Sequence, residues 1–347
     1  MKLISVSVTG LFNMFDHSLE LRNSLTFIHS PNGYGKSTFV KMITMALKGD
    51  TEGLLDIPFA RMDMNFSDET NLIIENYGSE LLVQMQRNEI ESEISEDEMR
   101  SILDVLYITS DRLNIKKLDG RVVPALEAYA SEFADRLRTA NEDNEIQIEK
   151  KKQSKVKIGD DEIVFQSKDL KAKLDFMKDA GIEPILPSGY RFPPSRNDVN
   201  ESRDDYVALT HAISEYVKKN YSLAESIVVF RDILNGLLVN KDVYVNESGT
   251  IGVEFSDGTA LPLSKLSSGE KQLMVLFYNL LFHASSGSLA VIDEPEISLH
   301  ISWQQRIGSI LMDIARLRDL QMIVATHSPQ IVHDKWDMAN ELRVERD

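Results

Sequence analysis

The stretch SLTFIHSPNGYGKSTFVKMITMALKG, from Ser24 to Gly49, decides the fold. It opens with a short apolar run ending at Ser30, which reads as a strand, and then crowds Asn32, Gly33 and Gly35 into a turn. Beyond the turn, Phe39, Val40, Ile43, Met45 and Leu47 recur at helical spacing. The order is strand, glycine loop, helix. A Walker A loop needs glycines so that backbone N–H groups can wrap phosphate, a lysine to reach the outer phosphates, a hydroxyl for Mg²⁺, and a helix N-terminus facing the anion. Asn32, Gly33, Tyr34, Gly35, Lys36, Ser37 and Thr38 supply these, although Ser30 stands where the first glycine belongs.

Working outward, residues 1–21 alternate apolar and polar residues through Leu3, Val6 and Val8, as strands do. Asn71 to Arg87 reads as a hairpin around Tyr77-Gly78, and VLYIT ends a further strand at Thr109. From about Val122 to Asn240 the text turns helical, with segments at 124–152, 168–178, 205–219 and 223–238 around a Pro- and Arg-rich loop, 186–203. Strand-like text returns at Val243 to Leu263, followed by helix, strand, helix, strand to Thr326. The expected organisation is an N-terminal lobe over 1–121, a helical insertion over 122–240 and a C-terminal lobe over 241–347.

Three later motifs carry chemistry. In LAVIDEPEISLH an apolar strand ends in Asp293, placed to hold Mg²⁺, and Glu294, placed to polarise an attacking water. Such an acidic pair also occurs in solvated loops. LSSGEKQ presents Ser267, Ser268, Gly269 and Glu270 before an apolar helix, a capping arrangement that can also offer hydroxyls and N–H groups to a phosphate. ATHS places His327 at the end of the strand MIVAT, close to a γ-phosphate if that strand neighbours the one ending at Asp293.

The ordered set PNGYGKST, LSSGE, DEPEISLH and ATHS resembles the ABC-type ATPases of the RecF, SMC and OLD group. It is most similar to the small OLD-like AAA ATPases of bacterial anti-phage systems such as Septu and PARIS. The resemblance covers about residues 1–110 and 240–335. It implies an α/β ABC-ATPase head, with a P-loop core sheet and an antiparallel β subdomain, interrupted by the insertion. It implies that Lys36 binds phosphates, Thr38 the α-phosphate, Ser37 and Asp293 the magnesium, and Glu294 the hydrolytic water, while His327 senses the γ-phosphate. Ser267 to Glu270 would complete the site of a second copy in a head-to-tail ATP dimer, with Glu296 to His300 crossing that interface. The cofactors implied are ATP and Mg²⁺, and the activity is slow hydrolysis to ADP and phosphate. Ser268, Glu270 and EISLH depart from the transporter-type motifs and favour the RecF/OLD side. For the glutamine that such heads carry after a core strand, Gln84, Gln86 and the Thr109–Arg112 turn stay open.

Composition bounds the partners. The 347 residues carry a formal charge of −17 and no cysteine, which excludes disulfides and thiolate chemistry and weighs against a protein coating nucleic acid. A short lysine run, Lys150 to Lys157, could contact DNA or be a solvated helix end. Arg191 and Arg196 could clamp a partner or belong to an ordinary loop. His17, His211, His283 and His333 form no spaced cluster, so no transition-metal site is expected. No apolar run is long enough for a membrane span and no signal peptide opens the chain, so a cytoplasmic protein with no membrane partner is expected. Only 20 residues follow His327, so a destructive effector, a nuclease by expectation, would be a separate polypeptide. A RecF-like DNA-maintenance ATPase is the alternative, and a transporter subunit the weaker one.

Overall fold

The computed structural model describes residues 1–21, 24–88, 90–117, 119–148 and 159–342. The lysine run therefore lies outside the described residues. The chain divides into two compact units, Met1–Val122 with Ser267–Asp347, and Val123–Leu266. No helix among the described residues is long and apolar enough to cross a membrane.

The first unit holds two sheets. One is parallel, with strands in the order Ala339–Glu341, Leu25–His29, Gln321–Thr326, Leu289–Asp293 and Val105–Ile108. LAVID and QMIVAT are buried at every position, as expected of central parallel strands covered on both faces. The other sheet is antiparallel, in the order Phe15–Glu20, Leu3–Leu11, Arg61–Phe66, Asn71–Asn76, Leu81–Arg87 and Ile90–Glu93. Its strands alternate: Met62, Met64 and Phe66 point into the core. On the other face Arg61 pairs with Asp63 at 2.7 Å and with Glu75, its cross-strand neighbour, at 2.8 Å.

The helix Lys36–Leu47 binds the sheets together. Its Phe39, Val40, Met42, Ile43 and Ala46 are fully buried in one apolar cluster with Leu3, Val6 and Val8 of the antiparallel sheet and Ile28, Val291 and Ile323 of the parallel one. Burying each large side chain contributes about 1.5–3 kcal/mol, and truncating Phe39 to Ala would cost about 3–5 kcal/mol. A buried amide adds a polar link: Gln321 accepts from Leu3 N at 2.9 Å and donates to Leu3 O at 2.7 Å, satisfying a backbone pair that would otherwise be stranded.

The second unit is built on helices Ala125–Glu142, Asp160–Asp179 and Arg203–Leu237, with the short Arg196–Glu201 helix capped reciprocally by Ser195 and Asp198. The two segments expected at 205–219 and 223–238 form one 35-residue helix. Asn220, in the gap between the two expected segments, donates to Tyr216 O at 3.1 Å, and Ser226 donates to Ser222 O at 2.9 Å, so the helix runs through them. The hairpin Lys241–Val245 and Ile251–Phe255, placed by sequence with the C-terminal lobe, lies in this unit. Asn235 on the long helix bonds both backbone groups of Val243, at 3.2 and 2.6 Å, and Thr250 donates to Ala130 O at 3.1 Å. Arg196 grips the Asp161 carboxylate with two nitrogens, each at 2.5 Å.

Candidate nucleotide site

Three adjacent parallel strands end together. Thr326 is in register with His29, and Ala325 with Asp293, so the Ser30–Lys36 loop, the Glu294 turn and His327 leave the sheet side by side. Ligands in open α/β sheets sit in the crevice beyond the carboxyl ends of the strands. The strand ending at His327 is thus flanked by the Walker A strand and by the one ending at Asp293.

The loop is shaped by two left-handed glycines, Gly33 (φ +85°) and Gly35 (φ +75°), where a β-carbon would be strained. At Gly35 a β-carbon would also press on Leu11 Cδ2 at 3.1 Å, whereas at Gly33 it would meet nothing within 4 Å. Asn32 and Gly33 are exposed; Tyr34, Ser37 and Thr38 are half-buried. Lys36, only 3% exposed, opens the helix and contacts His327 Nε2. His327 Nδ1 lies 3.1 Å from Ser30 O. These contacts assign the tautomer: Nδ1–H donates to the Ser30 carbonyl, and Nε2 accepts from the ammonium. Glu294 Oε1 is 3.5 Å from the same Nε2. Ser37 donates to Asp293 Oδ1 at 3.2 Å.

Burial sets the electrostatics. It pushes Lys36 below the usual lysine range, against the pull of Asp293, Glu294 and Glu296. It raises Asp293, with Glu294 and Glu296 adding to the rise while Ser37 and Lys36 oppose it. Three carboxylates therefore crowd one buried ammonium, a cost to folding of the kind that accumulates at functional sites.

Arg112, from the Thr109–Arg112 turn, is the second cation. It is 5% exposed and donates to the carbonyls of Pro295 (3.0 Å), Thr109 (3.4 Å) and Glu294 (3.5 Å). Burial pushes it down to about 10, with Glu296 and Asp293 opposing, so it stays charged at pH 7. The grip falls on a strained turn, since Glu294 has φ +47°. Glu296 in turn accepts from the N–H groups of His327 (2.6 Å) and Ser328 (3.1 Å) through one oxygen. Its other oxygen and Arg112 Nε are buried without a hydrogen-bond partner, so the site is built for groups beyond its own side chains.

Among the described residues no cluster of three or more His, Asp or Glu side chains could hold a metal alone. Ser37 Oγ and the Asp293 carboxylate are hard oxygen donors, two ligands that suit Mg²⁺ when substrate phosphates complete its shell. The residues present fit that group.

Ser267 and Glu270 form a reciprocal capping box at the start of helix Ser268–Tyr278, with Ser267 N donating to Glu270 Oε2 at 2.8 Å. Ser267 and Ser268 are exposed, while Gly269 and Glu270 are buried. A β-carbon on Gly269 would lie 2.5 Å from Ser298 O and 3.1 Å from Trp303, so the glycine lets this helix meet the Glu296–His300 turn. Of the open alternatives after a core strand, Gln84 and Gln86 lie in the antiparallel sheet, and the Thr109–Arg112 turn is the one beside Glu294. Sequence reasoning had Arg112 only within the open Thr109–Arg112 turn and Glu296 only as the start of the interface-crossing stretch, and it missed Gln304, which accepts from Ser328 Oγ at 2.6 Å. It also missed His17, whose Nε2 lies 2.7 Å from Tyr34 O. Arg112 and His17 stand outside any motif; Glu296 was legible only as part of DEPE.

A glycine loop, a strand-end acidic pair and a strand-end histidine converging on one crevice define an α/β P-loop nucleotide-binding protein. The chain belongs to the family described as "AAA domain, putative AbiEii toxin, Type IV TA system", which matches residues 31–333. No curated protein matches it. Among solved structures it is similar to an SMC head bound to the C-winged helix domain of ScpA, at 13% identity over 95% of this chain and 91% of that chain, with a TM-score of 0.49. It is also similar to an SMC head with an extended coiled coil bound to the C-terminal domain of ScpA, from Pyrococcus furiosus (13% identity, 95% and 90% covered, TM-score 0.48). An SMC head from Thermotoga maritima gives 12% identity, 98% and 93% covered, and a TM-score of 0.44.

Proposed function

We propose that this chain is an OLD-like ATPase that binds ATP with Mg²⁺, closes head to tail around it as a dimer, hydrolyses it slowly, and controls a separate effector, a nuclease by expectation, in anti-phage defence. The observation that carries the ATPase reading is the convergence of Lys36, Ser37, Asp293, Glu294 and His327 at the ends of three neighbouring strands. The defence reading rests on the motif resemblance and on the family's description as a toxin of a type IV system.

In this reading Lys36 leaves His327 for the phosphates, and Ser37 and Asp293 would hold the Mg²⁺. The metal supplies charge neutralisation across the phosphates. Glu294 orients a water and takes its proton as the new oxygen–phosphorus bond forms and the β,γ-bridging bond breaks, leaving ADP and phosphate. Ser267 and Ser268, exposed at their helix N-terminus, would meet the phosphate held by the other copy.

The test is Mg·ATP binding, turnover and light scattering on three proteins. Wild type should bind, turn over slowly and dimerise on ATP. Glu294→Gln should retain binding, lose turnover by about 10²-fold or more, and hold the ATP dimer. Lys36→Ala should lose binding. Wild-type turnover in Glu294→Gln would remove Glu294 from its role, and a monomer at saturating ATP would remove the dimer. The effector reading fails if the chain purifies from its native host without a stoichiometric partner.

A further inference from the structure

Behind the glycine loop sits a buried titratable group that the proposed chemistry does not use. His17, on the Phe15–Glu20 strand, is 2% exposed. Phe15 stacks on it at 5.7 Å with an interplanar angle of 8°, Phe39 meets it edge-on at 5.7 Å, and Phe15 also stacks on Tyr34 of the loop at 6.1 Å. Within this aromatic setting Nε2 reaches the Tyr34 carbonyl at 2.7 Å, while Nδ1 is buried with no hydrogen-bond partner. A carbonyl only accepts, so Nε2 carries a proton.

The acceptor is the consequential part. Tyr34 lies between the two left-handed glycines, where the backbone has little steric reason to prefer one peptide orientation over its flip. In a planar trans peptide the C=O and the next N–H point in opposite directions. Holding Tyr34 O toward His17 therefore aims Gly35 N–H away from the antiparallel sheet. We propose that His17 is a positioning residue for nucleotide binding: its Nε2–H, donated to the Tyr34 carbonyl, fixes the peptide that aims the Gly35 N–H at a phosphate. This rests on the reading of Ser30–Thr38 as a phosphate loop. His17 touches no substrate in this role and acts through the backbone alone.

A neutral ring is what the surroundings favour. Burial holds His17 below the usual histidine range, against the raising influence of the Tyr34 carbonyl and of neighbouring Asp16. Protonation would place a charge on a ring that is 2% exposed.

The test compares wild type with His17→Gln, which keeps an amide donor, and His17→Phe, which keeps a ring without one, using Mg·ATP as the probe. His17→Phe should raise the Kd and KM for Mg·ATP about three- to tenfold, the factor one lost hydrogen bond gives. Its kcat should change less, and His17→Gln should recover part of the affinity. A folded His17→Phe that binds within twofold of wild type overturns the proposal. If His17→Phe does not fold, ¹⁵N-imidazole spectra of the wild type decide: Nε2–H at pH 7 is required, and Nδ1–H or a doubly protonated ring overturns it. Lys36→Ala separates the two readings, since retained nucleotide binding there sinks the phosphate-loop reading whatever His17 does.

Discussion

In the unit formed by Met1–Val122 and Ser267–Asp347, Lys36, Arg112 and Asp293 are each no more than 5% exposed. In Val123–Leu266 the paired side chains of Arg196 and Asp161 are 71% and 70% exposed, and those of Lys219 and Asp143 are 61% and 72%. These three charges of the first unit are withdrawn from water and made to converge, which costs stability and sharpens every interaction they make. Charges in the second stay in solvent, where pairing is worth little. The same residue types thus serve a site in one unit and solubility in the other.

Arg112→Ala should break the comparison open with the largest effect. It strands the carbonyls of Thr109, Glu294 and Pro295 and releases the Glu294 turn, at a cost of about 3 kcal/mol in denaturant unfolding of this unit. Arg112→Lys should fall between, because one ammonium cannot reproduce the fork that reaches three carbonyls. A wild-type midpoint for Arg112→Ala would mean that the grip contributes nothing.

Asp293→Asn should act with the opposite sign. The folded state raises Asp293 above its ordinary 3.8, so ionising it costs stability as pH climbs from 3.8 through the raised value. Asn has no proton to lose. The variant should therefore gain on wild type across that window and stay ahead at pH 7, while losing the Mg-dependent turnover proposed above. Loss of stability on this substitution would show that the carboxylate is a net structural asset.

Arg196→Ala should do least. The pair it breaks is open to solvent, so its Tm should stay within about 2 °C of wild type, with the gap shrinking further in high salt. A larger shift would place the 186–203 loop among the structural elements of its unit.

The site was legible wherever chemistry forces residue type and spacing together. Glycines at 33 and 35, the lysine and hydroxyl after them, and an apolar strand ending in two acids leave few alternatives, and all fall at strand ends. The side chains that work through backbone atoms were not legible. Arg112 and His17 each hold carbonyl groups, and a carbonyl carries no sequence signature. The Val123–Leu266 unit was readable as helical, but its longest helix was read as two, 205–219 and 223–238; Asn220 in the gap bonds the Tyr216 carbonyl four residues back and stays within the helix. The 241–266 hairpin was assigned elsewhere because strand text next to strand text looks continuous. The contacts of Asn235 and Thr250 decide its place, and those depend on tertiary proximity.

The parallel sheet has a consequence for synthesis. Its strand Leu25–His29 is made long before both of its neighbours, Gln321–Thr326 and Ala339–Glu341. Ser30 and His327, which meet at 3.1 Å, are 297 positions apart. At the usual pace of translation that gap is roughly 15–60 s, during which an apolar strand waits on the ribosome with neither edge paired. Val123–Leu266, being contiguous, can complete its own core within the interval. The nascent chain can thus form Val123–Leu266 first and gains a nucleotide site only after Gln321–Thr326 has been made.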